Sequence, residues 1–302
     1  MCRPESLARQ VCDTFGKMDE SDGGRKDTDS IDERPTEFQS LDGLGLRGTF
    51  VIGAASTGHA ALLVHGGGVT RDEGGFFTRL AAGLARAGVP SLRFDFRAHG
   101  ESEGDQRDLT LAGIVNDIRA AADHVRADMA PGPVHLLGAS FGGGISAFFA
   151  ATYPDRVQSL VLINPLLDYK KRIVDEKPYW ANDYIKYEEG RELARNGFIP
   201  HSPSFKLGRP LLNEVFYLAP HRVLCDIAAP TLIVHGTRDT FIPVDSSRRF
   251  IQEITAESSL LEIEGAQHGI AVHDDPGYRD PQTQRWQTSV IDSVARWMTS
   301  HQ

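Results

Sequence analysis

Cysteine is scarce in this chain: Cys2, Cys12 and Cys225 are the only three in 302 residues, and their spacing suits neither a disulfide framework nor a metal site. Reduced thiols in a cytoplasm are the expectation. The eleven histidines form no His-Glu-x-x-His motif and accompany no close carboxylate cluster, so neither a metal nor any other cofactor is expected. No apolar run approaches the roughly 20 residues that cross a bilayer. The first residues, Met1-Cys2-Arg3-Pro4-Glu5-Ser6, contain no apolar h-region, which speaks against export by a cleaved signal. Excess positive charge is absent too: 32 Lys and Arg against 41 Asp and Glu leave a net charge of −9. Nucleic acid and anionic membranes are therefore poor partners. No Gly-Lys-Ser/Thr occurs, and the glycine-rich turns lack the G-x-G-x-x-G spacing of a first βα turn, which removes nucleotide binding.

What is present is an ordinary globular composition, 40 % hydrophobic and 24 % charged, in a chain long enough for one large core or two small ones. Residues 1–35 stand apart. They are polar and charged, with too little apolar surface to offset the entropy of ordering, and are expected to form a flexible extension. Within them Leu7, Val11 and Phe15 are four apart and would share one face of a short helix over residues 5–18. From residue 36 the pattern changes. Phe38–Leu41 and Leu46–Ile52, separated by Gly43 and Gly45, read as a hairpin or two adjacent strands. Apolar runs then follow at Ala60–Val64, Ser91–Phe94, Val134–Leu137, Val157–Ile163, Thr231–Val234 and Leu260–Ile263. Helical patterns lie between and after them, at Gly75–Ala87, Leu109–Ala127, Phe141–Tyr153, Ser246–Glu253 and Gln282–Thr299. Continuous apolar strands alternating with helices predict an α/β fold: a mostly parallel twisted sheet of about eight strands with helices on both faces.

Residues 166–225 break this alternation and are too long for a simple connection. They carry five of the seven tyrosines, with Trp180, Phe198, Phe205 and Phe216. A mostly helical insertion over the sheet edge, a cap, is expected here, leaving residues 36–165 and 226–302 as the core. The insertion's rings either line a pocket for an apolar group or pack the insertion's own small core.

One segment carries chemistry. Gly138-Ala139-Ser140-Phe141-Gly142 lies between an apolar run and a helix start. Strand, Gly-x-Ser-x-Gly and helix make a turn so tight that its neighbours must be small, with the serine backbone strained and its hydroxyl held above the sheet edge. A serine hydroxyl is a poor nucleophile at neutral pH, so it needs a base to take its proton.

With three further segments the chain resembles the α/β-hydrolase family over residues 36–300. Ala61-Leu62-Leu63-Val64-His65-Gly66-Gly67-Gly68 is similar to the family's turn that builds the oxyanion hole. Phe94 to Gly104 resembles its Asp-x-x-Gly-x-Gly-x-Ser turn, here in the form His99-Gly100-Glu101-Ser102. Val234 to Pro243 resembles the turn presenting the acid, and Ile263 to Gly269 the place of the base. The resemblance implies Ser140 as nucleophile, His268 as base and Asp239 as the carboxylate that orients it, in the chain order of this fold. It also implies an oxyanion hole from the backbone N–H groups of Gly67 and Phe141, with Gly68 as the alternative. Asp245 competes with Asp239 but is better placed to begin a helix. His273 competes with His268 from an Asp/Gly-rich loop. His65 and His235, which end strands, read as structural donors to loop carbonyls, and His135 as a satisfied core histidine.

Serine at position 140 excludes chemistry of the haloalkane-dehalogenase type, which needs an aspartate there. The chain is similar to cinnamoyl- and feruloyl-esterase-like proteins and to the serine-aminopeptidase-like branch, although Gly67, Gly68 and Phe141 depart from the hydroxycinnamate esterases. The expectation is a serine hydrolase that cleaves a small-molecule carboxylic ester through an acyl-enzyme, with an apolar or aromatic acyl group. A thioesterase, an acyltransferase or an aminopeptidase-like amidase would use the same residues. A non-catalytic binding protein on this fold would usually have lost one of the three. A dimer through the insertion or the N-terminal extension is compatible with the sequence.

Overall fold

A computed structural model of the chain describes residues 30–56 and 58–302. The helix expected over residues 5–18 lies outside them. The described fold opens with β1 (Asp32–Gln39), paired antiparallel to β2 (Gly45–Ile52) with Phe38 opposite Leu46. β1 starts at Asp32 rather than Phe38, so residues 32–35, read above as extension, belong to a strand. Most of its residues are exposed, because an edge strand pairs on one side only and tolerates charge and the missing N–H of Pro35. Glu33 also gains an ion pair with Arg93 at 2.7 Å.

The expected alternation follows as β3 (Ala61–Val64), α1 (Phe76–Arg86), β4 (Ser91–Asp95), α2 (Leu111–Asp128), β5 (Val134–Ala139), α3 (Ser140–Thr152) and β6 (Val157–Ile163). Thr110 caps α2, its hydroxyl oxygen accepting the Gly113 N–H at 2.9 Å. Next come β7 (Trp180–Ala181), β8 (Tyr184–Ile185), α4 (Tyr187–Asn196), β9 (Phe198–Ser202), β10 (Phe205–Gly208) and α5 (Arg209–Glu214). Helices remain the larger part of the regular structure in residues 166–225, and two antiparallel hairpins, β7–β8 and β9–β10, share it with them. The first turns on Asn182 and Asp183, both at positive φ (50° and 65°), the pair of residue types that best tolerates that conformation. β11 (Thr231–Gly236), α6 (Val244–Phe250), β12 (Ser258–Ile263) and α7 (Pro281–Ser300) complete the fold.

Eight strands form one sheet in the order β1-β2-β4-β3-β5-β6-β11-β12. β1, β2 and β4 pair antiparallel in succession, and from β4 to β12 every pairing is parallel. Because successive side chains face opposite ways, Leu62, Val64, Leu136 and Leu160 meet Ile118 and Val125 of α2 and Ile145 and Phe149 of α3. Ala61, Leu63, Leu137 and Val161 meet Leu80 and Leu84 of α1 and Val290, Val294 and Met298 of α7 on the other face. Burial on both faces is why these strands read as unbroken apolar runs. The parallel strands deliver their C-terminal ends to one edge of the sheet, where such folds place their sites.

Candidate active site

Four strand ends meet at this edge. β3 runs into His65-Gly66-Gly67-Gly68, β5 into Ser140, β11 toward Asp239 and β12 toward His268. Ser140 has φ +49°, the strained left-handed region expected of the turn. Its neighbours have to be glycine on contact grounds. A Cβ on Gly142 would lie 2.2 Å from the His65 carbonyl oxygen, and one on Gly138 would lie 2.4 Å from Ser146 Oγ.

The structure brings Ser140, Asp239 and His268 together. His268 Nε2 lies 3.0 Å from Ser140 Oγ, and His268 Nδ1 lies 2.7 Å from Asp239 Oδ2. Asp239 is ionised and accept-only, so Nδ1 carries the proton and Nε2 offers its lone pair to the hydroxyl. The Asp239 carboxylate is sealed from solvent and fully partnered. Oδ1 accepts the N–H groups of Phe241 and Ile242 at 2.8 Å each, and Oδ2 also accepts Asn164 Nδ2 at 2.7 Å. Burial would push this carboxyl up, but the His235 ring 3.4 Å away, the hydrogen bond from His268 and those from the backbone hold it well below the usual carboxylate range.

The turn after β3 is pinned from three sides. His65 Nδ1–H donates to the Gly66 carbonyl at 2.7 Å while its Nε2 accepts the Phe96 N–H at 3.3 Å. Gly66 N–H donates to Glu73 Oε2 at 2.8 Å, and Gly68 N–H to His99 Nε2 at 3.0 Å. Gly68, the alternative oxyanion donor, is thus already engaged. Among the described residues, the N–H groups of Gly67 and Phe141 donate to no protein acceptor, and both residues line the cleft at Ser140. The Asp95-to-Ser102 turn acts as a brace: Asp95 accepts the N–H groups of Arg71 and Glu101, and Ser102 Oγ donates to the Asp95 carbonyl at 2.5 Å.

The cleft opens to solvent, and its space, counted out through the open mouth, is about 690 Å³. Phe141, Phe205, Phe241 and Leu166 give the cleft an apolar lining, which it shares with His201, Glu73, Tyr278 and His268. Of the Phe, Tyr and Trp rings in residues 166–225, Phe205 is the one that lines this cleft among the described residues; Tyr184, Tyr187 and Tyr217 are exposed, and Trp180 packs on Phe216. Phe205 covers the glycine turn so closely that a Cβ on Gly67 would lie 2.7 Å from its ring.

The rivals fall outside the constellation. Asp245 is an exposed first-turn residue of α6 paired with Arg248 at 2.9 Å, and His273 is exposed beside Asp274. His235 donates from Nε2 to the Ile242 carbonyl at 2.8 Å and accepts Ser247 Oγ at Nδ1, a structural role like that of His65. His135 departs from its reading: Nδ1 meets Ser159 Oγ at 2.9 Å, but the buried Nε2 has no partner among the described residues, and burial pushes the ring down to about 4. No group of three potential metal ligands occurs among the described residues, and no described helix is long and apolar enough to cross a membrane. Three site residues escape the sequence reading: Asn164, Glu73 and Tyr278. All three share a signal visible only in the backbone, a non-glycine residue at positive φ.

The strand order, the serine on the turn after β5 and the partners supplied from β11 and β12 define a hydrolase-type α/β architecture. A family model described as alpha/beta hydrolase fold matches residues 61–198. That match and the strand order give the chain the α/β-hydrolase fold, and the proteins it is similar to are hydrolases of that fold. It is 26 % identical over 260 residues to a monoacylglycerol lipase of Mycolicibacterium smegmatis, covering 80 % of this chain and 88 % of that one. It is 25 % identical to the human mitochondrial palmitoyl-protein thioesterase ABHD10, over 55 % of this chain and 53 % of that one. The solved structure of Est1E from Butyrivibrio proteoclasticus with ferulic acid bound has the same fold, with a TM-score of 0.68 at 20 % identity over 88 % of this chain and 98 % of that one.

Proposed function

We propose that the chain is a serine hydrolase that cleaves a small-molecule carboxylic ester through an acyl-enzyme, acting in the cytoplasm without a cofactor. The observation that carries the reading is His268 bridging Ser140 Oγ at 3.0 Å and the buried Asp239 carboxylate at 2.7 Å. Ser140 Oγ attacks the ester carbonyl carbon as its proton passes to His268 Nε2. Asp239 holds the tautomer and stabilises the imidazolium that results. The oxyanion of the tetrahedral intermediate takes hydrogen bonds from the free N–H groups of Gly67 and Phe141. Collapse breaks the bond to the alkoxy oxygen, which leaves with the proton from Nε2. Water then repeats the sequence on the acyl-Ser140 ester and releases the acid.

Residues 166–225 act as a cap, with Phe205 over the glycine turn. The apolar lining of Phe141, Phe205 and Phe241 supports an apolar or aromatic acyl group, since rings bury much area with few freedoms to lose. The relatives named as a monoacylglycerol lipase and a palmitoyl-protein thioesterase favour acyl carbonyl chemistry while leaving oxygen and sulfur leaving groups as competitors.

Ser140→Ala is expected to fold as the wild type and to lose p-nitrophenyl acetate hydrolysis by roughly three or more orders of magnitude. Hydrolysis at the wild-type rate would refute the reading. A panel running from short-chain esters to hydroxycinnamates, thioesters and aminoacyl amides identifies the preferred leaving group and acyl part.

A further inference from the structure

The proposed reaction leaves one buried carboxyl in the cleft unused. Glu73 is 9 % exposed, lines the cleft beside Ser140 and holds a backbone φ of +46°, a conformation that costs a non-glycine residue about 1 kcal/mol or more. The next two residues are Gly74 and Gly75, also at positive φ, so the turn itself has no need of a glutamate. Burial pushes the carboxyl up to about 7, with the Gly66 N–H and His268 pulling the other way. A residue that is strained, desolvated and costly to ionise has a purpose in what it touches.

What it touches is the His65–Gly66 amide, one peptide before the one that carries the Gly67 N–H. Glu73 Oε2 accepts the Gly66 N–H at 2.8 Å, His65 holds the Gly66 carbonyl at 2.7 Å, and His99 holds the Gly68 N–H at 3.0 Å. His65 and His99 thus hold the two peptide planes that flank Gly67, Glu73 holds the plane before them so that three successive peptides are fixed, and the Gly67 N–H is left free. We infer that Glu73 is a positioning residue: by accepting the Gly66 N–H, its carboxylate fixes the turn that aims the Gly67 N–H at the carbonyl oxygen of the bound ester. The inference rests on the reading of Ser140 as nucleophile. Its physical basis is that a buried acceptor oxygen at hydrogen-bond distance locks the peptide whose N–H it receives, whether that oxygen belongs to a carboxyl or an amide. An oxyanion donor is effective only when its direction is set before charge develops.

Two variants test it. Glu73→Gly removes the carboxyl while suiting the positive φ, so folding is not at stake. Glu73→Gln keeps an acceptor oxygen of the same reach. On one ester, with thermal unfolding followed in parallel, Glu73→Gly is expected to lower kcat roughly ten- to a hundred-fold, with KM within about twofold and no loss of melting temperature. Glu73→Gln is expected to recover most of kcat. A role confined to stability would move the melting temperature and leave kcat of the folded enzyme alone. A Glu73→Gly kcat within about twofold of wild type overturns the inference, as does a Glu73→Gln variant no better than Glu73→Gly. Ser140→Ala measured alongside separates the two levels. If it keeps the wild-type rate, the nucleophile reading fails and this inference with it; if it is inactive while Glu73→Gly is unaffected, the positioning role alone is lost.

Discussion

Asp239 and Asp245 are the same residue type near the same strand end, yet they stand in opposite environments. Asp239 is sealed and accepts from two backbone amides, Asn164 and His268, whereas Asp245 is exposed on α6 and pairs with Arg248. Replacing the first with asparagine removes the charge that favours the Nδ1–H tautomer of His268, and kcat should fall by roughly four orders of magnitude. Asp245→Asn should leave kcat within about twofold of wild type, and steady-state kinetics on one ester decides between them. Glu73 makes a separate prediction for stability. Its carboxyl titrates near 4.5 when unfolded and at about 7 when folded, so the folded state holds the proton more tightly. The stability this contributes is complete below pH 4.5 and is lost as pH rises through 7. Glu73→Gln, which never ionises, should therefore gain on wild type between pH 5 and pH 8, by on the order of 3 kcal/mol at the upper end. Urea unfolding at the two pH values measures it; a constant difference would contradict the assigned burial.

At the scale of elements, the attachment of residues 166–225 to the core depends on helix ends. Glu214 of α5 accepts the N–H groups of Leu111 and Ala112 at the start of α2, where a negative charge is favoured by both the free amides and the helix dipole. Glu214→Ala should lower unfolding stability by about 1–2 kcal/mol, and Glu214→Gln by less, since it keeps an acceptor but not the charge. The same scale explains what is legible in the sequence. The parallel strands are readable because they are buried on both faces, and the helices because of their apolar spacing. β1 is not, because Asp32 to Glu37 lies on a sheet edge where burial imposes no pattern. The hairpins β7–β8 and β9–β10 are too short to show alternation and are set by turn residues and by what they pack on. The convergence of Ser140, Asp239 and His268 is legible because each stands just past an apolar strand among small residues. Glu73 and Asn164 are not, since each enters the site through a backbone conformation that its residue type does not advertise.

At the scale of the molecule, one buried arginine joins three parts of the fold. Arg97, just past β4, makes bonds of 2.8–3.1 Å to Asp117 of α2, which is fully buried, and bonds of 2.8 and 2.9 Å to Asp42 in the β1–β2 turn. Arg97→Ala would strand the Asp117 charge in the core, and denaturant unfolding should show a loss of about 3–5 kcal/mol. The same sheet that these contacts hold in register presents positions 65 to 268 along one edge, which is how residues so distant in the chain come within the hydrogen-bond distances on which the proposed proton path rests. The most direct measurement of that path is labelling with a fluorophosphonate followed by peptide mass mapping. The account predicts a single phosphonyl group on Ser140, absent in Ser140→Ala and formed far more slowly in His268→Ala. Ester hydrolysis that continues with Ser140 unlabelled, or a label found on another residue, would contradict it.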